Sequence, residues 1–440
     1  MNERTLIGEL GKHIGETVSI SGWIDVRRDQ GKMVFFDFRD RSGMVQGVVL
    51  PKSEALDAAK EVKNEYVVSV TGIVNKRPEK NVQADKLNGD IELEVTGIEM
   101  LSPAQELPFD KDTDLNIDTR FDYRPYTMRS QRDRDIFTIQ ATILNAYRNS
   151  LRNQGLTEFV APALVGGDAE GGSAVFKVGY YYDQTAYLAT SPQLYKQIMV
   201  GAFERVFTIA KIFRAEKSAT TRHLSELTQM DFEMGFIKDE FDVMAVLEQT
   251  VRDTVQEVGE KHAAEFARLG AEVPHLGSKF PILTLAEAHA TLGVPPEDDM
   301  TPEHERDICA WALKEHDSDF VFITKFPTAA RAFYTMGESK GPSRGFDLLF
   351  RGLEINSGAQ RIHSYEDMVA RIEERGMDPK KFAFYLQAFK YGMPPHGGCS
   401  TGLERFTGRM LNLGNVKEAS AFPRDMNRID ILLSGNEEKK

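Results

Sequence analysis

Residues 206–237 read VFTIAKIFRAEKSATTRHLSELTQMDFEMGFI. Two runs rich in β-branched and aromatic residues, 206–213 and 230–237, flank a polar loop, so the second run returns beside the first without a helix between them. Arg214 and Glu216 stand two apart and share one face of the first strand, while Arg222 and His223 follow the turn that brings the chain back. An arginine beside a glutamate most often means a solvated ion pair. Two arginines and a histidine around one hairpin can instead clamp phosphate, because the planar guanidinium fork matches its oxygens.

The same kind of connection recurs on the C-terminal side of residue 133. Helices are expected at 136–153 (ending at Gly155), 192–203, 240–268, 303–316, 365–375 and 382–391. Strands are expected at 187–189, 206–213, 230–237, 320–325, 331–336 and 346–355, and 156–165 is strand-like, with Pro162 placing it at an edge or bulge. Several strands meet through hairpins or long loops, which favours an α+β domain on an antiparallel sheet flanked by helices over a doubly wound sheet. A small helical insertion is expected around 240–320. Before residue 103 the chain reads all-β. Runs at 17–23, 33–39, 43–50, 66–74 and 91–95 are separated by turn signals such as Asp40-Arg-Ser-Gly43 and Asn88-Gly-Asp90, with a helix-forming stretch at 51–65. Five strands with a helix between the third and fourth make the pattern of an OB-type β-barrel. The domain reading is therefore a barrel at 1–103, a hinge with little regular structure at 104–131, and the α+β domain at 132–440. The polar tail 435–440 is expected to be disordered.

Composition narrows the classes. The 440 residues carry a net charge of −13, against a general nucleic-acid coat but not against a local basic site. No run of about 18 apolar residues is present, so no membrane span is expected. Residues 1–13 have no apolar stretch of the secretory kind, and two cysteines, Cys309 and Cys399, make neither a disulfide framework nor a zinc site. A cytoplasmic location is expected.

Three more segments carry chemistry. Tyr391-Gly-Met-Pro-Pro-His-Gly-Gly398 runs through Cys399-Ser-Thr-Gly-Leu-Glu-Arg405 into an apolar helix, and is read as a glycine-rich turn able to hold an anion, with Arg405 one turn inside. Asp347, Glu354 and Ser357 offer oxygens of the kind magnesium accepts, although Glu354 could equally pair an arginine. In Thr190-Ser-Pro-Gln-Leu-Tyr-Lys196 the lysine opens a helix, and alone it carries little.

Together FRAE…TRH…DFE and GLER resemble the second and third signature motifs of class II aminoacyl-tRNA synthetases, and Gln154-Gly-Leu-Thr-Glu-Phe-Val-Ala-Pro162 resembles the first, which forms the dimer interface. With the barrel, the chain is similar to the aspartyl, asparaginyl and lysyl subgroup. SPQLYKQ, DAEGG, EINSGAQR, GMPPHGG and Phe422-Pro-Arg-Asp425 point to aspartyl-tRNA synthetases of the compact archaeal-like type. The resemblance implies ATP-dependent activation of L-aspartate to aspartyl-adenylate, then transfer to the 3′ end of tRNA-Asp by a homodimer with Mg2+ as cofactor and ATP as substrate. It implies no DNA or membrane partner.

The resemblance also implies roles. Arg214 would meet the α-phosphate and the aspartate, and Arg405 the γ-phosphate and adenine. Glu216 would accept from the adenine amino group. His223 would form the other face of the adenine slot, beside Arg222 on the phosphates, and Leu224, Gly402, Leu403 and Glu404 would complete the ATP site. Glu354 and Ser357 would hold magnesium, with Asp347 helping. Lys196 and Arg361 would receive the aspartate side chain, Glu170 and Gln193 its α-ammonium, with Ser357 nearby and residues 166–172 as a lid. On the barrel, Arg27, Arg28, Phe35 and Gln46 would contact the anticodon. Alternation supports this for Phe35, which falls with Asp37 and Arg39 opposite the core face of Phe36 and Phe38.

The chain departs from the family pattern at Ser400, usually glycine, which is expected to alter the nucleotide pocket slightly, and in the loop 217–221, which faces the acceptor stem. Asp25 stands where strict relatives carry tryptophan and relaxed ones histidine, so charging of tRNA-Asn stays open. Two other readings remain. One is a tRNA-independent amide synthetase that adenylates aspartate, disfavoured by the barrel. The other is a non-catalytic OB-fold RNA binder, disfavoured by intact Arg214, Glu216, Glu354 and Arg405.

Overall fold

A computed structural model describes residues 4–83, 87–110, 113–167, 174–217, 220–338 and 340–429. Glu170 and most of its loop, residues 218 and 219 of the second-motif loop, and the tail 435–440 lie outside the described residues. The chain divides into two compact units, Met1–Thr113 and Asp114–Lys440.

In the first unit β1 (Thr17–Asp29), β2 (Val34–Asp40), β3 (Gly43–Val49), α1 (Leu56–Glu61), β4 (Val67–Lys76) and β5 (Ile91–Ser102) form a closed barrel in the order β1-β2-β3-β5-β4. Ile20, Ile24, Phe36, Phe38, Val70 and Leu93 fill it. β1 and β5 run well past the expected ends. Their registers shift between Ile24 and Val26 and opposite Thr71–Gly72, and such bulges break the period-two pattern by which a strand is read. Arg39 departs from the expected outer face. Its guanidinium is buried between Asp25 (2.7 Å) and Glu65 (2.6 and 2.5 Å), 5.4 Å from the Trp23 ring centroid.

The second unit begins with α2 (Ile117–Asp122) and α3 (Arg124–Thr127), within the stretch that the sequence reads as a hinge with little regular structure. The Asn116 side chain caps α2, and Arg124 pairs with Asp133 at 3.1 Å and reaches the Ala421 carbonyl at 2.7 Å. Polar anchoring of this kind leaves no apolar period to read. There follow α4 (Gln131–Asn153), β6 (Thr157–Glu158), β7 (Leu164–Val165), β8 (Lys177–Gly179), β9 (Thr185–Leu188), α5 (Gln193–Phe203), β10 (Arg205–Phe213), β11 (Glu226–Gly235), α6 (Glu240–Lys261) and α7 (Ala263–Leu269). After these come β12 (Ile282–Thr284), α8 (Leu285–Leu292), α9 (Pro302–His316), β13 (Phe320–Thr324), β14 (Gly345–Phe350), β15 (Glu354–Arg361), α10 (Tyr365–Glu374), α11 (Ala383–Lys390), β16 (His396–Gly402) and α12 (Leu403–Met410).

Eight strands make one sheet, β12-β13-β14-β15-β16-β11-β10-β6. Its six central strands are antiparallel, as expected, but the edge pairs β12–β13 and β10–β6 are parallel. One core joins Ile139, Ile143 and Tyr147 of α4 to Val243, Leu247 and Val251 of α6 and to Phe232 and Phe322 of the sheet. Within the stretch 240–320, α6 shares this core and β12 extends the sheet.

Two other readings are corrected. Residues 346–355 are two strands, because the chain reverses at Arg351 (φ 46) and Gly352 (φ 77). Residues 331–336 form no strand and contribute one bridge, Thr335 to Arg361. The glycines of 397–402 belong to a central strand, not a turn. A Cβ on Gly398 would sit 2.1 Å from the Phe232 carbonyl oxygen and 2.3 Å from Glu233 Oε2, so glycine here serves close approach.

Candidate active site

A cavity of about 330 Å3 opens where the C-terminal end of β10, the start of β11, β15, the end of β16 and the first turns of α5 and α12 converge. Arg214, Glu216, Arg222, His223, Leu224, Glu354, Ser357, Arg361, Gly402, Glu404, Arg405 and Gln193 all line it. The topology explains the gathering, since β11 and β15 each pair with β16.

At one end Arg214 has no ion-pair partner among the described residues, so its charge is available to a ligand. Arg405 donates to the Glu354 carbonyl at 3.1 Å and stands 3.6 Å from the Glu354 carboxylate. Arg222 pairs with Glu305 of α9 at 3.0 Å. Burial and then the positive Arg405 lower the pKa of His223, favouring a neutral ring. Burial and then Asp347 raise that of Glu354. Asp347 itself is held in a two-pronged pair by Arg331 (3.0 and 2.8 Å), which also donates to Ser357 Oγ at 3.3 Å. The expected helper is thus committed to an arginine.

At the other end Glu233, fully buried, receives Arg361 Nε at 2.9 Å and stands 3.4 Å from Lys196 Nζ. Burial alone would raise the Glu233 carboxyl, yet Arg361 and Lys196 hold it below the usual range. Lys196 also donates to Asp231 (2.9 Å) and to the Cys399 carbonyl (3.0 Å) and is fully buried, behind the cavity wall. Its ammonium is thus ion-paired to both acids at the end of the cavity where the motif implies the aspartate side chain. Arg361, which lines the cavity, spends Nε and Nη2 on Glu233, Gln193 and the Gly398 carbonyl, and its Nη1 has no hydrogen-bond partner among the described residues.

Leu403 belongs to the hydrophobic core, and the Glu404 carboxylate, at the cavity wall, accepts from the Thr228 amide of β11 with both oxygens at 3.0 Å. Ser400 lines the cavity, and its Oγ donates to Asp231 at 2.7 Å, which links this departure to the acids of the amino-acid end. Residues without an expected role also line the cavity. Gln229 exposes a face to it while its buried Oε1 has no hydrogen-bond partner among the described residues, and Tyr334 lies with its ring 5.3 Å from Arg361. Asp231, Glu233 and Gln229 sit on β11, buried on both faces from Thr228 onward, where spacing carries no information.

On the barrel, Phe35 is half-buried while Phe36 and Phe38 are buried, in line with the alternation. Arg28 makes a two-pronged pair with Asp37 (2.8 and 3.0 Å), Arg27 binds the Ala59 carbonyl (3.1 Å) and Asp29 (2.9 Å), and Gln46 reaches Glu92 at 3.5 Å.

The family model described as tRNA synthetases class II (D, K and N) matches residues 116–426, and one described as OB-fold nucleic acid binding domain matches residues 18–101. A Thermus thermophilus protein named aspartate–tRNA(Asp/Asn) ligase is 42% identical, over 97% of this chain and 99% of that protein. The Pyrococcus furiosus aspartate–tRNA(Asp) ligase is 37% identical, over 94% and 96%. Among solved structures, the Pyrococcus horikoshii asparaginyl-tRNA synthetase with asparaginyl-adenylate superposes with a TM-score of 0.88 at 31% identity, covering 98% of this chain and all of that one. The Entamoeba histolytica aspartyl-tRNA synthetase gives 0.86 at 29%, covering 97% and 93%. With the motif residues gathered round one cavity and a barrel before it, the chain belongs to the class II aminoacyl-tRNA synthetases, in the subgroup for aspartate, lysine and asparagine.

Proposed function

We propose that the chain joins L-aspartate to ATP, releasing pyrophosphate, and passes the aspartyl group from the adenylate to the terminal adenosine of tRNA-Asp and tRNA-Asn. The observation that carries this reading is the one cavity lined by Arg214, without an ion-pair partner among the described residues, together with Arg405, Glu354, Arg361 and Gln193. The amino acid's α-carboxylate is already ionised at pH 7 and attacks the α-phosphorus without a general base. Two anions must meet, so Arg214 offsets their repulsion and stabilises the charge that builds on the phosphate oxygens. Arg405 and Arg222 hold the outer phosphates, and neutral His223 covers the adenine.

The residues present fit magnesium. Glu354 is a carboxylate whose ionisation is opposed by burial and by Asp347, so a cation beside it would be favoured. Among the described residues no cluster of three metal-ligating side chains occurs, which suits an ion carried largely on nucleotide phosphates and held by Glu354 with Ser357. Bound there, Mg2+ would neutralise phosphate charge.

Specificity for aspartate follows from charge. Lys196 and Arg361 face Asp231 and Glu233, a balanced set, and Arg361 Nη1 remains for the substrate's side-chain carboxylate. Lys196 acts from behind, by holding Asp231 and Glu233 in place. Relaxed tRNA choice is supported by the Thermus thermophilus relative, an aspartate–tRNA(Asp/Asn) ligase. Asp25 accepts from Arg39 at 2.7 Å. A homodimer in the cytoplasm completes the proposal. β6 is the last strand of its sheet, and Val160 beyond it is 95% exposed, as an interface side chain would be in a single copy. Among the described residues no helix is long and apolar enough to cross a membrane. Charging purified tRNA-Asp and tRNA-Asn side by side with labelled aspartate tests the reading; charging of neither would reject it.

A further inference from the structure

Behind the amino-acid end of the cavity lies a chain of buried polar groups that the mechanism above leaves unused. Gln197, one turn after Gln193 on α5, and His396, at the start of β16, are fully inaccessible, with Tyr385 of α11 beside them. His396 Nδ1 lies 2.9 Å from the Pro394 carbonyl oxygen. A carbonyl only accepts, so Nδ1 carries the proton and Nε2 of the neutral ring is an acceptor. Its partner at 2.8 Å is therefore Gln197 Nε2, as donor. That turns Gln197 Oε1 the other way, where it accepts from Gln193 Nε2 at 2.9 Å and from the Tyr385 hydroxyl at 3.1 Å. Gln193 is thereby left with its oxygen on the side of Arg361 Nη2, 3.3 Å away, at the cavity wall. Burial pushes the His396 ring down to about 4, so the ring is neutral at pH 7 and the order of donors is kept.

We propose that His396 and Gln197 are positioning residues for amino-acid recognition: they fix the Gln193 amide with its oxygen toward the cavity, as the acceptor for the substrate's α-ammonium group. The proposal rests on the aspartate reading given above. A reversed Gln193 would point two N–H donors at a cation.

Succinate, which is aspartate without the amino group, separates orientation from general damage. Wild-type protein is first assayed for aspartate-dependent ATP–pyrophosphate exchange, and its absence would reject the aspartate reading itself. In Gln197→Met the aspartate KM should rise about 10- to 100-fold, the weight of one hydrogen bond to a charged group, with succinate inhibition and the ATP KM within about twofold of wild type. Gln197→Glu, protonated in this buried site, still accepts from Gln193 and donates to His396, and should restore the aspartate KM to within about threefold. An unchanged aspartate KM in Gln197→Met, or a succinate constant that moves with it, would overturn the proposal. Nitrogen-15 NMR of wild-type protein gives a test independent of how the variants fold: His396 should carry its proton on Nδ1 at pH 7, and a proton on Nε2 contradicts the relay.

Discussion

The two units treat their cations differently. In the barrel three arginines are already engaged: Arg28 by Asp37, Arg27 by Asp29 and the end of α1, Arg39 by Asp25 and Glu65. In the catalytic unit Arg214 has no ion-pair partner among the described residues, and Arg361 is aimed by Glu233 with one nitrogen left over. Fixed charge near the reacting atoms need not reorganise as the transition state forms. Barrel arginines must first exchange an acid for a phosphate, so their contribution to RNA binding is a small difference between two pairs. On a chain of net charge −13 such exchangeable pairs also keep nonspecific RNA away.

The sharpest way to break this contrast is Arg214→Ala. Exchange should fall by about 10²- to 10³-fold or more, because a positioned charge is lost where charge develops. An effect under about tenfold in steady-state exchange would mean Arg214 is as replaceable as a barrel arginine. Next in size is Glu233→Gln, which leaves Lys196 and Arg361 facing each other with one acid. Removing one partner from a buried network typically costs about 3–5 kcal/mol, to be read as a lower urea midpoint for the catalytic unit.

A third test uses pH. His396 has a folded value of about 4 against 6.5 for an ordinary histidine. The unfolded chain therefore takes the proton first. Stability is full above pH 6.5 and falls as pH drops from 6.5 toward 4, by at most about 3 kcal/mol. Urea unfolding at pH 7 and pH 4.5 should show this slope in wild type and a shallower one in His396→Gln. The smallest effects belong to the barrel. Asp37→Asn releases Arg28 and should lower the tRNA KM by about two- to threefold, while Arg28→Ala should raise it by a similar factor and reduce the salt slope of binding by about one. Neither should alter aspartate-dependent exchange without tRNA.

How much of this was legible in sequence follows from which positions have a period. The 206–237 hairpin has one at its rim, and Arg214, Glu216, Arg222 and His223 all reach the cavity. Farther along β11 both faces are covered, so Asp231 and Glu233 could be quoted but given no role. Glycine misled at 397–402, where it admits the neighbouring Phe232 carbonyl and Glu233 side chain rather than a turn. Arg351 adopts a left-handed φ that no pattern announces for arginine, so the β14–β15 hairpin read as one strand. α2 and α3 are held by a cap and by Arg124 pairs instead of an apolar stripe, so their sequence reads as a hinge. The burial of Lys196 against Asp231 depends on packing that spacing cannot express.

The most direct measurement is ATP–pyrophosphate exchange by purified wild-type protein and Arg214→Ala, with aspartate and with asparagine as the only amino acid. The account predicts exchange with aspartate, none above background with asparagine, and loss of the aspartate signal in the variant. Exchange driven by asparagine instead, or an Arg214→Ala variant that exchanges as fast as wild type, would contradict it.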